Sequence, residues 1–295
     1  MRKKIDVLIS IDVDPAPSLN LEDGVRQSVN LLGKYGIKAT FFFVANHTSP
    51  NMMRLVQEHG HEVGCHGLNH DDQEELHQLS YTKQEKMLSE ATILLEKLSG
   101  NKIKSFRSPR LKINSDTLQI LEKLGYQTDS SLSAQRLDFF SSNLINLKWL
   151  IMNRLPYHPD MKKIWKKGSL KILEIPVTAF ILPFISTTLR IFGLTFFKIF
   201  FWFLYWEAYF TKKPIVYLFH PHEFLYNYTM KFSWELFIPN KSWLIKGAPF
   251  RRLFARQLLG PEVYALHDRF FCWLSSKNVH FKTMSEYQLQ ISLPF

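Results

Sequence analysis

Short apolar, largely β-branched runs recur along this chain, and each stops at polar or charged side chains. This recurrence constrains the fold more than any other feature. Ile5-Asp6-Val7-Leu8-Ile9-Ser10-Ile11 ends at Asp12 and Asp14, just before Pro15. Ala39 to Val44 ends at Asn46 and His47, Glu62 to Cys65 at His66, Ser105-Phe106 at Arg107, and Gln127-Thr128 at Asp129. Leu170 to Val177, Pro214 to Phe219 before His220, and Val279 to Phe281 before Thr283 complete the series. Runs of this length and character suit buried strands. Between them, Gly24 to Tyr35, Ser49 to Glu58, Lys83 to Leu98 and Ser115 to Leu124 have helical spacing, with Gly36, Gly60, Gly100 and Gly125 at or just past their ends. Alternating strands and helices imply parallel pairing with right-handed crossovers. With functional groups after nearly every strand, in about eight units, a (β/α) barrel is favoured over an open doubly wound sheet, whose ligands gather at one switch point.

At 295 residues and 46% hydrophobic the chain can bury a full core, and one domain spanning 1–295 is expected, since no linker, repeat or low-complexity tract divides it. Two cysteines, Cys65 and Cys272, cannot build a disulfide framework, which points to a reducing compartment. Cys65 reads as a small buried strand residue rather than a metal ligand. The opening Met1-Arg2-Lys3-Lys4 leads into a run broken by Asp6 and Asp12, too short and too acidic for the core of an export signal. The expectation is therefore no signal peptide and a cytoplasmic protein, with a peripheral place on the inner face of the cell membrane as its closest membrane association.

The net charge of +11 calls for an anionic partner or surface. No recognition-helix, finger or RNP-type signature is present, so nucleic acid is not expected and anionic membrane lipid or a phosphorylated substrate ranks above it. The segment 180–213 is dense in Phe, Trp and Tyr, but Arg190, Lys198 and Glu207 are expected to interrupt every window long enough to span a bilayer. It reads as an aromatic-rich helical insertion lying in the headgroup region, with Lys212-Lys213 against anionic lipid; the alternative is packing on outer barrel helices or in a dimer interface. A basic-aromatic segment at 225–262, with Trp243 to Lys246 and Phe250 to Arg256, carries the same signal more weakly.

A hydrolytic divalent site of the zinc type needs three protein ligands and an open position, and Asp14, His66 and His70 supply that set. Asp-x-Asp alone, or His-x-x-x-His alone, is weak evidence. Both at strand ends of one barrel make a site, with the histidine pair either sharing a helical face or carried on a loop that Gly67 opens.

Taken in order, Ile11-Asp12-Val13-Asp14, Lys38 to Phe42, Gly60 to His70, Phe106-Arg107-Ser108-Pro109 and Tyr217-Leu218-Phe219-His220-Pro221 resemble the successive motifs of the polysaccharide deacetylase family, the NodB-homology domain of carbohydrate esterase family 4. The resemblance covers residues 5 to 130 and resumes at 170 to 223 and near Phe281 to Glu286. It implies a distorted (β/α)7 barrel of the NodB type and metal-dependent removal of N-acyl groups from amino sugars. By matching position, Asp12 resembles the general base, Asp14 with His66 and His70 the metal triad, Arg107 the residue that orients the base, and His220 the general acid. Zinc fits two imidazoles and one carboxylate; nickel, cobalt and iron would also fit.

His222 stands two residues past His220 and reads as a substrate contact, a supporting partner or the acid itself. Arg110 reads either as a contact for an anionic substrate or as a solvated loop arginine, and Glu174 as a pocket carboxylate or a structural strand end. The first motif is Asp-Val-Asp where many members have Asp-Asp-Gly, and no Asp/Trp motif is evident in Leu173 to Thr178. The first of these departures moves the chain toward members acting on unusual substrates. The expected activity is N-deacetylation of an amino sugar, plausibly lipid-linked or presented at the membrane. Alternatives are deformylation of a lipid-linked aminosugar, hydrolysis of a small cyclic amide, and a non-catalytic membrane-associated carbohydrate-binding protein.

Overall fold

The computed structural model describes residues 4–134, 152–225 and 259–292. Strand β1 (Ile5–Val13) lies at the centre of a parallel sheet. From it the order runs through β2 (Ala39–Phe43), β3 (Glu62–Cys65), β4 (Ser105–Phe106) and β5 (Thr128–Asp129) to β6 (Leu173–Glu174). Strand β9 (Ile215–Phe219) pairs with β1 from Val7 to Ile11, and β10 (Val279–Phe281) pairs with Ile5 to Val7 at the start of β1. With β10 set aside, β1 to β6 and β9 are the seven strands of the expected distorted barrel. Between β6 and β9 runs a hairpin of β7 (Ala179–Phe180) and β8 (Leu182–Pro183). That stretch meets β9 through a parallel bridge from Ile185 to Leu218 and a hydrogen bond from the Val216 amide to Thr178 Oγ1.

Period-two alternation assigns the two sides of each strand. Val7, Ile9, Ile11 and Val13 join Phe41, Phe43, Tyr217 and Phe219 in the large cluster under the helices, all at most 1% exposed. Leu8, Phe42, Leu173, Ile175 and Val216 face the other way and form the barrel interior. Gly64 sits beside Phe42, where a Cβ would come within 2.6 Å of the ring, so the interior closes only around a residue without a side chain. Ser10, Asp12 and His220 continue the inward rows of β1 and β9 toward the strands' C-terminal ends, and there the interior turns from apolar to polar.

Helices α1 (Leu21–Lys34), α2 (Pro50–Glu58), α3 (Tyr81–Ser99) and α4 (Ser115–Lys123) follow the first strands. The local chemistry sets their ends: the Ser49 hydroxyl accepts the Met52 amide, and Asn114 and Thr117 form a reciprocal capping box. Helices α6 (Pro261–Ser275) and α7 (Met284–Ser292) close the described chain. Met284 and Tyr287 of α7 complete the interior cluster. Glu62 fastens this floor by accepting from Thr40 Oγ1 at 2.7 Å, Ser105 Oγ at 2.5 Å and the Ser285 amide at 3.1 Å.

The aromatic segment forms α5 (Ser186–Thr211), broken at Gly193, whose φ of 75° and ψ of 171° are not helical. The expectation that charges interrupt every long apolar window is corrected. Only Lys198 lies between Arg190 and Glu207, and α5 is long and apolar enough to cross a membrane by length and composition. In this fold, however, α5 packs against β9 and α6. Phe197, Phe201, Leu204 and Ala208 are fully buried, and Phe197 stacks on Phe184 with ring centroids 4.3 Å apart. Trp243 to Lys246 and Phe250 to Arg256 lie outside the described residues.

Candidate active site

Where β1 leaves the sheet it places Asp12 inside the barrel and Asp14 at its mouth, and β3 ends in His66. His66 Nε2 lies 3.2 Å and His70 Nε2 3.5 Å from Asp14 Oδ1. The loop between the histidines folds around Glu74, a residue with no sequence signal of its own. Its carboxylate, 2% exposed, accepts the amides of Leu68, Asn69 and His70 at 2.6, 2.7 and 2.7 Å. The turn needs left-handed backbone at Gly67 (φ 83°) and at His70 (φ 59°). A Cβ on Gly67 would also approach Glu74 Oε1 to 2.5 Å. The histidine pair is thus carried on a loop rather than on a shared helical face.

These residues fit a divalent cation. One ligand atom from each of Asp14, His66 and His70 lies within 4.8 Å of the others. Asp14 Oδ1 is buried and accepts no hydrogen bond. His66 Nδ1 lies 2.8 Å from the Arg107 carbonyl, which can only accept, so the neutral ring carries its lone pair on Nε2, facing Asp14. Burial disfavours the Asp14 carboxylate, but the imidazoles of His220, His66 and His70 outweigh it and hold Asp14 well below the usual carboxylate range. Burial, outweighing the attraction of Asp14, lowers His70, which favours the neutral ring that a metal needs.

Arg107 is fully buried and sits over the Phe42 ring at 4.5 Å. Its NH1 donates to Asp12 Oδ1 at 2.9 Å and to Ser10 Oγ at 2.8 Å; Nε and NH2 donate to the Ser130 carbonyl at 3.0 Å and hydroxyl at 2.8 Å. The Ser10 hydroxyl donates to the Tyr217 carbonyl, and that of Ser130 to the Ile175 carbonyl. The guanidinium is therefore fixed from four strands or their ends, and it fixes Asp12 in turn. Asp12 Oδ2 lies 3.9 Å from His66 Nε2, beside the ligand cluster.

His220 follows β9 and faces Asp14 Oδ2 with Nε2 at 3.6 Å. Burial alone would lower it, but the carboxylates of Asp14, Glu223 and Asp12 raise it to about 9. The His222 ring centre is 5.2 Å from that of His220, and burial together with that cation pushes it down to about 4.

The other two proposed pocket residues have partners of their own, and Arg110 is near enough for its charge to act on His70. Arg110 pairs with Glu75 at 2.5 Å and Asp72 at 2.9 Å on a turn where its φ is 57°. Glu174 is fully buried on the side of β6 opposite Leu173 and Ile175, and faces Asp129 across the strand pair. The same alternation that points those two apolar residues into the barrel turns Glu174 out of it. The Cys65 thiol is buried and pushed up to about 12, as a structural strand residue requires.

Residues 2–128 match the polysaccharide deacetylase family model. A peptidoglycan deacetylase-like protein of Gibberella zeae is 30% identical over 155 residues, 45% of either chain. A peptidoglycan deacetylase of Helicobacter pylori is 27% identical over 113 residues, 38% of either chain. The chain spans less than half the length of these curated relatives. In fold, a crystal structure described as a polysaccharide deacetylase from Mycobacterium smegmatis superposes with a TM-score of 0.63 at 18% identity, over 99% of this chain and 91% of that one. The motif-bearing stretch that builds β1 to β4, and with it Asp12, Asp14, His66, His70 and Arg107, lies within the residues that match the polysaccharide deacetylase family model.

Proposed function

We propose that this protein is a metal-dependent hydrolase that removes the N-acetyl group of an amino sugar carried on a lipid or presented at a membrane face. The observation that carries this reading is the convergence of Asp14, His66 and His70 on one point, flanked by Asp12 with Arg107 on one side and His220 on the other. A divalent ion, zinc first by its donor set, would be held by Asp14, His66 and His70 and would supply Lewis acidity toward an amide carbonyl and water.

The chain's own groups account for the protons. Asp12, aimed by the Arg107 fork, takes a proton from the attacking water as its oxygen bonds to the acyl carbon. His220 gives a proton to the amide nitrogen as the C–N bond breaks, since an amine leaves poorly until protonated. The products are acetate and a free amino sugar. His222, at the same mouth, is the nearest candidate for a substrate contact.

We place the protein in the cytoplasm, at the inner face of the membrane, and three features support this part of the reading. Phe192, Phe196, Ile199, Phe203, Trp206 and Phe210 form an exposed stripe along α5 at three- and four-residue spacing, 37% to 73% exposed. The chain carries a net charge of +11, which suits anionic lipid. Both cysteines are free, as a reducing compartment would keep them.

The test is metal content and acetate release from N-acetylglucosaminyl lipids. Wild type should hold stoichiometric metal and release acetate. Asp14→Ala should lose both, and His220→Ala should keep metal and lose acetate release. Metal without acetate, together with formate released from the N-formyl counterparts of these lipids, would turn the reading to deformylation, and a wild type without metal would sink it.

A further inference from the structure

Glu223 lies three residues beyond His220, on the 3-10 turn Pro221–Phe224, and is 4% exposed. Its Oε1 is 3.4 Å from His220 Nδ1 and 3.0 Å from Arg190 NH1, and its Oε2 accepts the Ser186 hydroxyl. Arg190 is itself 5% exposed and Ser186 1%. Both come from the first turns of α5, before the break at Gly193. Four groups of alternating charge thus stand in sequence: the Arg190 guanidinium, the Glu223 carboxylate, the His220 ring and the Asp14 carboxylate.

We infer that Glu223 is the positioning residue for His220, and that Ser186 and Arg190 of α5 hold it in place. This rests on the hydrolase reading above and adds to it a partner for the acid and a reason for the aromatic helix to be packed on the barrel.

An imidazole with one edge toward a reaction site can rotate or exchange tautomers unless its other nitrogen has a fixed partner. A carboxylate accepts only, so at Nδ1 it selects the ring with its proton on that atom and stabilises the cation when Nε2 is also protonated. Buried so deeply, such a carboxylate requires a counter-charge, and Arg190 provides it. A clasp between α5 and the turn would need only Arg190 and Glu223. The position of Oε1 between Arg190 and His220 is what a clasp alone leaves unexplained. His220 and Glu223 sit on one turn, while Arg190 and Ser186 come from the helix packed behind β9, so the acid is oriented only when α5 is docked.

The test uses full-length, zinc-loaded protein. Long-range ¹H–¹⁵N spectra of the histidine rings should show His220 protonated on Nδ1 in wild type. In Glu223→Gln that signature should be lost or averaged, while metal content and circular dichroism stay as in wild type. On an N-acetylated amino-sugar substrate, kcat should fall by about 100-fold with KM within about twofold, and Glu223→Asp should recover part of the loss. Ser186→Ala removes a single hydrogen bond from Oε2 and serves as the milder variant should Glu223→Gln fold poorly; kcat should fall several-fold with the same spectral trend. Unchanged His220 resonances and kcat in Glu223→Gln, with only the melting temperature lowered, would reduce Glu223 to a clasp and overturn the inference. If wild type releases no acyl group at all, the hydrolase reading falls, while the ring spectra still decide whether Glu223 sets the state of His220.

Discussion

Gly67 and Glu74 show how closely single residues set the geometry of the ligand cluster. Three amides of the His66 to His70 loop end on one buried carboxylate, so the loop has no freedom to drift from Asp14. Gly67→Ala would both oppose a φ of 83° and push a methyl into Glu74 Oε1. Metal affinity should fall by about 10- to 100-fold in Gly67→Ala and in Glu74→Gln, although neither residue is a ligand. Competition titration with a chromogenic chelator would measure this, and unchanged affinity in both variants would show that the loop holds its shape without them. His66, Asp12, Asp14 and Arg107 were legible in the sequence because each ends or closely follows an apolar run, and His70 because it stands four residues past His66. Glu74 was not, since nothing in His70-Asp71-Asp72-Gln73-Glu74 distinguishes the carboxylate that folds back onto the loop from those left at the surface. Glu223 was hidden in the same way, because the partner that gives it meaning, Arg190, lies on another element.

Among the elements, strand starts and helix ends agree with the sequence pattern to within a few residues. Leu170 to Val177 is the clearest difference, since only Leu173–Glu174 pairs as a strand. The pattern gave no warning of Glu174's direction, because a short apolar run shows alternation only once its inward side is known. The buried Asp129 and Glu174 side chains make a titration specific to the β5–β6 pair. Burial and then the Asp129 charge raise Glu174 well above the usual carboxylate range, so it holds the proton that the two share. An acid raised on folding contributes stability that is full below its unfolded pKa and is lost as pH rises through its folded one. Wild type should therefore lose unfolding free energy as pH climbs above the ordinary carboxylate range. Glu174→Gln, which stays neutral, should remove that slope. Urea unfolding from about pH 5 to about pH 9 gives the comparison, and equal slopes in both proteins would mean that the pair ionises freely. Helix α5 carries the other test at this scale. Phe203→Asp with Trp206→Asp alters only its exposed stripe and should abolish flotation with anionic liposomes while leaving the fold intact. Phe201→Asp, at a fully buried position, should instead cost at least about 3 kcal/mol in unfolding. If the double variant floats as wild type does, the stripe is not the lipid contact.

For the molecule as a whole, the candidate site depends on barrel closure. Asp12 lies near the end of β1 and Asp14 follows it, His66 and His70 follow β3, Arg107 follows β4 and His220 follows β9, so residues as far apart as 14 and 220 meet only when the sheet has curled and α7 has sealed its floor. An unfolded chain offers no such cluster, and a cation bound there binds the native state almost exclusively. At zinc concentrations about 100 times the dissociation constant, linkage adds about 2.7 kcal/mol, which for a domain of this size raises the melting temperature by about 4 °C. The shift should be reversed by chelator and absent in Asp14→Ala. It should persist in His220→Ala, because His220 is outside the three-ligand set. Calorimetry of these three proteins with and without zinc therefore separates the ligand cluster from the proton donor. An equal zinc shift in wild type and Asp14→Ala would place the cation somewhere other than the mouth of the barrel, and the hydrolase reading would lose the observation that carries it.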